Sequence, residues 1–366
     1  LGDVYKRQAS LSAIYPPPGD GLSGATAKGA SGGVGDFAFP TARLESSSST
    51  TVAVNASSIS AGGDLKVEAL SESTQTTYAD TTGGGALSVG EAHADTLTGQ
   101  GAGNAVVTSV TIGTGTVLTA SDDLTVTADS DHVVSATAKS RGGGAISGKI
   151  AETTAKLTFT TTVTVNGTAK LTAGDALQVQ ALSTSDVQTS TDTYSVGVGA
   201  GADSDNTNDD HGAYINAATT VTVNNGAIIT GRSVALNALV VKMVGKASAS
   251  AVAYSPILLG VASAFANARV QIDSQATVDI NGAATRIKGL SGVDIRAVHS
   301  GLTVVRDAYS LAVALIPPQD SYEEGSTTLN NDVASDAGGL VTAGAVSYTH
   351  LRAHETDSYL VCRLLL

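Results

Sequence analysis

Along Leu65-Lys66-Val67-Glu68-Ala69 the side chains alternate apolar and polar, and the same apolar positions, with mostly polar residues between them, return at residues 124–128, 177–181, 234–238 and 293–297. Period two with one apolar face predicts a strand. The five anchors, Leu65, Leu124, Leu177, Val234 and Val293, follow one another at a nearly constant step, and the first and last steps are equal. Six positions before each anchor stands Ile59, Leu118, Leu171, Ile228 or Ile287, and two positions after it stands Val67, Val126, Val179, Leu236 or Ile295. Four positions after it comes alanine every time: Ala69, Ala128, Ala181, Ala238 and Ala297. Ala on the same strand face as Val, Leu or Ile is expected to point into a narrow, void-free interior.

Each anchor belongs to a stretch of about twenty residues that opens on a short strand, such as TVTV from Thr162 or from Thr220, and turns at Asn166-Gly167, Asn225-Gly226 or Asn281-Gly282. A second corner, Gly62-Gly63-Asp64 or Gly174-Asp175, precedes the anchor strand. Repetition at about 57 residues signals an array whose units bury their apolar faces on one another. The expected fold is all-β: a parallel β-helix, or β-solenoid, of about 57-residue repeats. Between the recurring stretches lies a looser segment in which a Thr/Ser-rich strand at 74–82 meets Gly83-Gly84-Gly85 and an alternating strand follows at 86–97. Gly142-Gly143-Gly144 repeats the corner at the same step that separates Leu65 from Leu124. Two windings suit this pattern. Either the unit makes three turns, each about as long as the recurring stretch, or it makes one wide coil with a hairpin projecting at the glycines. Three turns is the expectation, because the recurring stretch already completes a coil. SLSAIYPPPGD from Ser10 and SLAVALIPPQD from Ser310 lie about five periods apart and extend the array towards both ends.

Residues 1–8 and 346–366 lack the periodicity. LGDVYKRQ and SYTHLRAHETDSYLVCRLLL resemble translated sequencing-adapter read-through, and the second holds the only cysteine, Cys362, with two of the six histidines. The expected division is therefore one repeat domain over 9–345, a window on a longer chain, with 1–8 and 346–366 outside the fold.

Composition narrows the chemistry. Charged residues are 14% of the chain, against about 25% in average domains, and there is no tryptophan, so a stacked core of Val, Ile, Leu and Ala has to stabilise it. A net charge of −13 without basic clusters argues against nucleic acid and anionic membrane surfaces as partners. No apolar run approaches the ~20 residues that a spanning helix needs, so membrane insertion is not expected.

The wording I-x-A-G-x-D-L-x-V-x-A at 59–69, with its echoes in the other units, resembles the stalk regions of large bacterial surface exoproteins. These are the filamentous-haemagglutinin-like and leukotoxin-like adhesins. The likeness covers nearly the whole interior. It implies an extracellular or cell-surface scaffold or adhesin, whose partners are the rest of the same long chain and an unidentified glycan or protein ligand. An interior without cysteine is compatible with export.

Several strings invite sharper readings. GGAISGK, 143–149, fits G-x-x-x-x-G-K, but Ile150 stands where a phosphate loop needs Ser or Thr, and strand alternation follows where a helix is required. GVGAGA at 197–202 is a glycine-rich turn without a dinucleotide context. DSDNTNDDHG, 203–212, places Asp203, Asp205, Thr207 and Asp209 on alternate positions as a candidate calcium loop, yet Asn208 and Tyr214 replace the expected Gly and Glu. A solvated loop tip explains it as well. His93, His132, His211 and His299 fall in separate repeats, Arg141, Arg232, Arg286 and Arg296 are similarly scattered, and each alone reads as a solvated side chain. No catalytic residue and no cofactor are therefore assigned, and the chain is not expected to be an enzyme. Two alternatives stand beside the scaffold: a carbohydrate-active β-helix enzyme of lyase or hydrolase type, and an ice-binding solenoid. The second rests on outward pairs such as Thr162-x-Thr164 and Thr220-x-Thr222. Those pairs recur only at the unit period, and Thr51 and Thr277 lack the partner.

Overall fold

The computed structural model describes residues 9–15, 22–55, 58–100, 105–204, 211–256, 260–314, 319–335, 340–343 and 346–350. Among them the chain forms nineteen strands and no helix, and the strands join in one sheet. Every ladder between these strands is parallel, so the architecture is all-β.

The anchors stack as expected. Leu65 pairs with Leu124, Leu124 with Leu177, Leu177 with Val234, and Val234 with Val293. The alanine column runs in the same register from Ala13 through Ala69, Ala128, Ala181 and Ala238 to Ala297. From Ala69 onward its members are no more than 1% exposed. Larger neighbours on the same face, Val67, Val126, Val179, Leu236 and Ile295, are fully buried. Each contributes roughly 1.5–3 kcal/mol by leaving water.

Ladder partners stand one whole unit apart in sequence, as Leu22↔Thr74, Leu65↔Leu124 and Gly199↔Val261 show. A three-turn winding would need partners a third of a unit apart, and the ladders do not run that way. The glycine corner is not a hydrogen-bonded hairpin either. Both legs of Leu65–Thr98 pair in parallel with their counterparts in Leu124–Val165, as at Thr74↔Val133 and Leu87↔Ile146. The legs face one another through side chains instead. Thr77 Oγ1 and Thr96 Oγ1 lie 2.7 Å apart, and Thr98 Oγ1 donates to Gln75 Oε1. Small inward residues, Ala79, Ala92 and Ala94 among them, let the two layers approach. The two legs and their glycine corner thus form a flattened arm.

The glycine triplet marks the tip of that arm: Gly83, Gly84 and Gly85 pair with Gly142, Gly143 and Gly144. A Cβ on Gly142 would sit 2.0 Å from the Gly83 carbonyl oxygen, so only glycine fits there. At the opposite corner three asparagines form a ladder. Asn224 Nδ2 donates to Asn166 Oδ1 at 3.0 Å, and Asn281 Nδ2 donates to Asn224 Oδ1 at 3.3 Å.

Two expectations about the ends need correction. The string at Ser10 and the string at Ser310 are not in phase. Ser10 pairs with Lys66, whereas the column of Ser310 runs through Ala251, Thr193 and Ser140 to Thr81, well further along the unit. Their likeness does not measure the period. In the segment set aside at the other end, Val346–His350 is a strand that pairs with residues 293–297, following Leu340–Ala343 on residues 286–289. The register persists past the break in composition, as far as His350. Residues 1–8 and 351–366 lie outside the described residues.

Candidate functional site

Stacking at the unit period turns sequence distance into contact. His93 lies on one arm leg and pairs in register with Glu152 of the next layer. His211 stands just before the strand Gly212–Val223, whose Gly212 pairs with Thr154. Three successive layers therefore bring His93, Glu152 and His211 together, with one ligand atom from each within 4.8 Å of the others. The residue after His211 has to be glycine: Gly212 has φ of +120°, and a Cβ there would lie 2.8 Å from the Arg269 carbonyl oxygen.

The geometry centres on His93. Its Nε2 is 2.8 Å from Asp95 Oδ1, and its Nδ1 is 3.3 Å from Glu152 Oε2. His211 Nε2 lies 3.8 Å from that same Glu152 oxygen. The two imidazoles meet edge to face, with ring centroids 5.3 Å apart. Tyr214 braces the far side, donating its hydroxyl to the His211 carbonyl oxygen at 2.7 Å, while its ring lies under Lys156 Nζ at 5.0 Å.

The hydrogen bonds to Asp95 and Glu152 push the His93 pKa up to about 10, against the opposing effect of burial. Burial alone would raise the Asp95 carboxyl, but the hydrogen bond and charge of His93, with help from Thr154 and Arg43, hold it below the usual range. The cluster is a half-buried imidazole and carboxylate network.

Read singly, His93 and His211 are isolated solvated side chains; the structure corrects this and joins them. The sequence does carry a signal. Glu152 follows His93, and His211 follows Glu152, by the same step that separates Leu65 from Leu124. The three-turn winding hides it, because those residues would then lie three coils apart.

His132 also departs from a solvated reading. It is completely buried, with Nδ1 2.8 Å from Ser73 Oγ and its ring 5.3 Å from that of Phe159, and burial pulls its pKa down to about 4. His299 stays apart from the cluster, with Nε2 2.8 Å from Ser274 Oγ. The arginines remain dispersed: Arg141 pairs with Asp192, Arg232 with Asp175 and Arg296 with Asp294, while Arg286 is exposed. Lys149 of the phosphate-loop look-alike lies within a strand and is buried, with Nζ donating to Ser88 Oγ at 2.8 Å. Of the candidate calcium loop, Asp203 pairs in register with Ile150 and Phe265, and Asp205 and Asp209 lie outside the described residues.

The threonine pairs change meaning as well. Since the unit period is the layer period, Thr162 stacks on Thr220 and Thr164 on Thr222, with Ser109 and Thr111 on one side and Thr277 and Asp279 on the other. Ala53 and Asp279 end the second column, so the two-wide threonine face covers few layers.

Comparison with protein-family models, with curated proteins and with solved structures finds no match to the chain.

Proposed function

We propose that this chain is a non-catalytic scaffold or adhesin segment of an extracellular repeat protein, wound as a parallel β-solenoid with one coil per unit of about 57 residues. The alanine column carries the reading: six layers repeat one position in unbroken register, as in an array that grows by stacking equivalent units. Such a rod gains reach with each unit. The many outward Ser and Thr hydroxyls hydrate it without adding charge, and the sequence likeness to bacterial exoprotein stalks supports a place outside the cell.

A carbohydrate-active enzyme is the second reading, favoured by Asp95 and Glu152 meeting on His93 from adjacent layers. A glycosidase general acid needs a carboxyl held protonated by a raised pKa. Asp95 is shifted the other way. The scaffold therefore takes precedence.

The experiment is to incubate the purified chain with a panel of neutral, acidic and amino polysaccharides and to assay reducing ends and unsaturated products. The same protein is applied to immobilised glycans and to whole cells. Retention without product release is expected. Product release that disappears in Asp95→Asn or Glu152→Gln would overturn the scaffold reading in favour of the enzyme.

A further inference from the structure

We propose that His93, Glu152 and His211 form a site for a divalent transition-metal ion of the zinc class, held by His93 Nδ1, Glu152 Oε2 and His211 Nε2. Asp95 acts as the positioning residue. The donor set selects the metal. Two imidazoles and one carboxylate suit zinc and its neighbours, whereas calcium and magnesium call for oxygen donors throughout.

The spacing is close to what coordination demands. Nitrogen and oxygen ligands at about 2.0–2.1 Å from a tetrahedral zinc lie roughly 3.3 Å from one another. Glu152 Oε2 is already 3.3 Å from His93 Nδ1 and 3.8 Å from His211 Nε2. Small side-chain rotations close the rest.

The surroundings supply the other half of a metal centre. Metal-bound imidazoles usually donate their second N–H to a carboxylate, which fixes the tautomer and aims the ring. Asp95 Oδ1 sits 2.8 Å from His93 Nε2 and leaves Nδ1 as the coordinating atom. Asp95 and Glu152 bring two carboxyl groups to the cluster, one beside each nitrogen of the His93 ring, a setting that suits a divalent cation. The side chains are 11% exposed at His211 to 24% exposed at His93, so the cluster lies close beneath the surface and a fourth coordination position is left for water.

The consequence is a clamp across three layers. One ion would tie residues from three consecutive units, adding a bond where the His93 and His211 rings already meet edge to face.

The test uses the whole chain, stripped with EDTA and titrated with zinc chloride by isothermal calorimetry. One zinc per chain at micromolar or tighter Kd is expected, with magnesium and calcium giving no competing heat. Binding should vanish in His93→Gln and His211→Gln when their metal-free circular dichroism matches the parent, and Asp95→Asn should weaken it roughly 10–100-fold. His350, His354 and Cys362 offer adventitious ligands, so loss in the variants is the readout. Zinc uptake that both histidine substitutions leave undiminished in stoichiometry and Kd would overturn the site, as would its absence in the parent. Should the histidine variants lose their β spectrum, cobalt on the parent chain decides. Intense visible bands of a tetrahedral ion with nitrogen and oxygen ligands support the site, and a weak octahedral spectrum overturns it.

Discussion

Lys149 Nζ donates to Ser88 Oγ at 2.8 Å, and Ser88 Oγ passes the contact on to Asp36 Oδ2 at 3.0 Å. This places a cation and an anion in the buried arm interior, joined through a hydroxyl, with burial pulling the Lys149 pKa down. Glycine makes the room: a Cβ on Gly83 would lie 1.8 Å from Asp36 Oδ2, and one on Gly142 would lie 2.9 Å from Lys149 Cε. Lys149→Met is expected to cost about 3 kcal/mol in urea denaturation, because it strands the Asp36 carboxylate away from water. Adding Asp36→Asn should recover part of that loss. A single variant as stable as the parent would show that the two charges are not coupled.

Thr168 has φ of +62°, whereas the stacked corners place Gly115 and Gly226 in left-handed conformations of +76° and +89°. A β-branched residue is strained there. Thr168→Gly is expected to stabilise the chain by about 1 kcal/mol, since relief of strain exceeds the entropy of the added glycine. Differential scanning calorimetry checks it. A lowered transition would mean that the Thr168 side chain makes contacts outweighing its backbone cost.

His132 gives the stability a pH dependence with a definite sign. In the unfolded chain its imidazole takes a proton near pH 6.5, while in the fold it does so only near 4. The unfolded state therefore binds more protons between those values, and stability falls as pH drops from about 6.5 to about 4, by roughly 3 kcal/mol in all. Above 6.5 the residue contributes no slope. Comparing the parent with His132→Gln isolates this share from that of the carboxylates, and equal slopes in the two proteins would refute it.

Val179→Asp and removal of one unit should have opposite outcomes. Val179 is fully buried, so an aspartate there is expected to cost several kcal/mol. Deleting 162–219 instead joins Thr161 to Thr220, which stacks directly on Thr162. Circular dichroism should show a native β spectrum, and small-angle scattering should show a particle shorter by about 5 Å, one layer spacing. Shortening by about 14 Å would point back to three turns per unit.

The anchors and alanines are legible in the sequence because strand period and unit period reinforce each other at positions such as Val179 and Ala181. The winding is not. Residues 74–97 carry few large apolar side chains, since their inward surface is Thr77, Ala79, Ala94 and Thr96, and their glycine corner looks the same in a hairpin and in a flattened arm. The histidine cluster is hidden for the same reason. His93, Glu152 and His211 become neighbours only once adjacent layers are known to lie one full unit apart.

The ladder between Ala176–Ser204 and Ile228–Tyr254 slips once, where Ser183 faces Val240 and Thr184 faces Lys242. Val241 is the surplus residue, 46% exposed, and its carbonyl oxygen accepts from Ser300 Oγ at 3.0 Å. Length is thus absorbed at the rim while the columns on either side stay aligned. A foreign peptide spliced in at Val241 would travel on the outside of the stack, displayed at a fixed height, and of the next layer only the Ser300 contact would feel it.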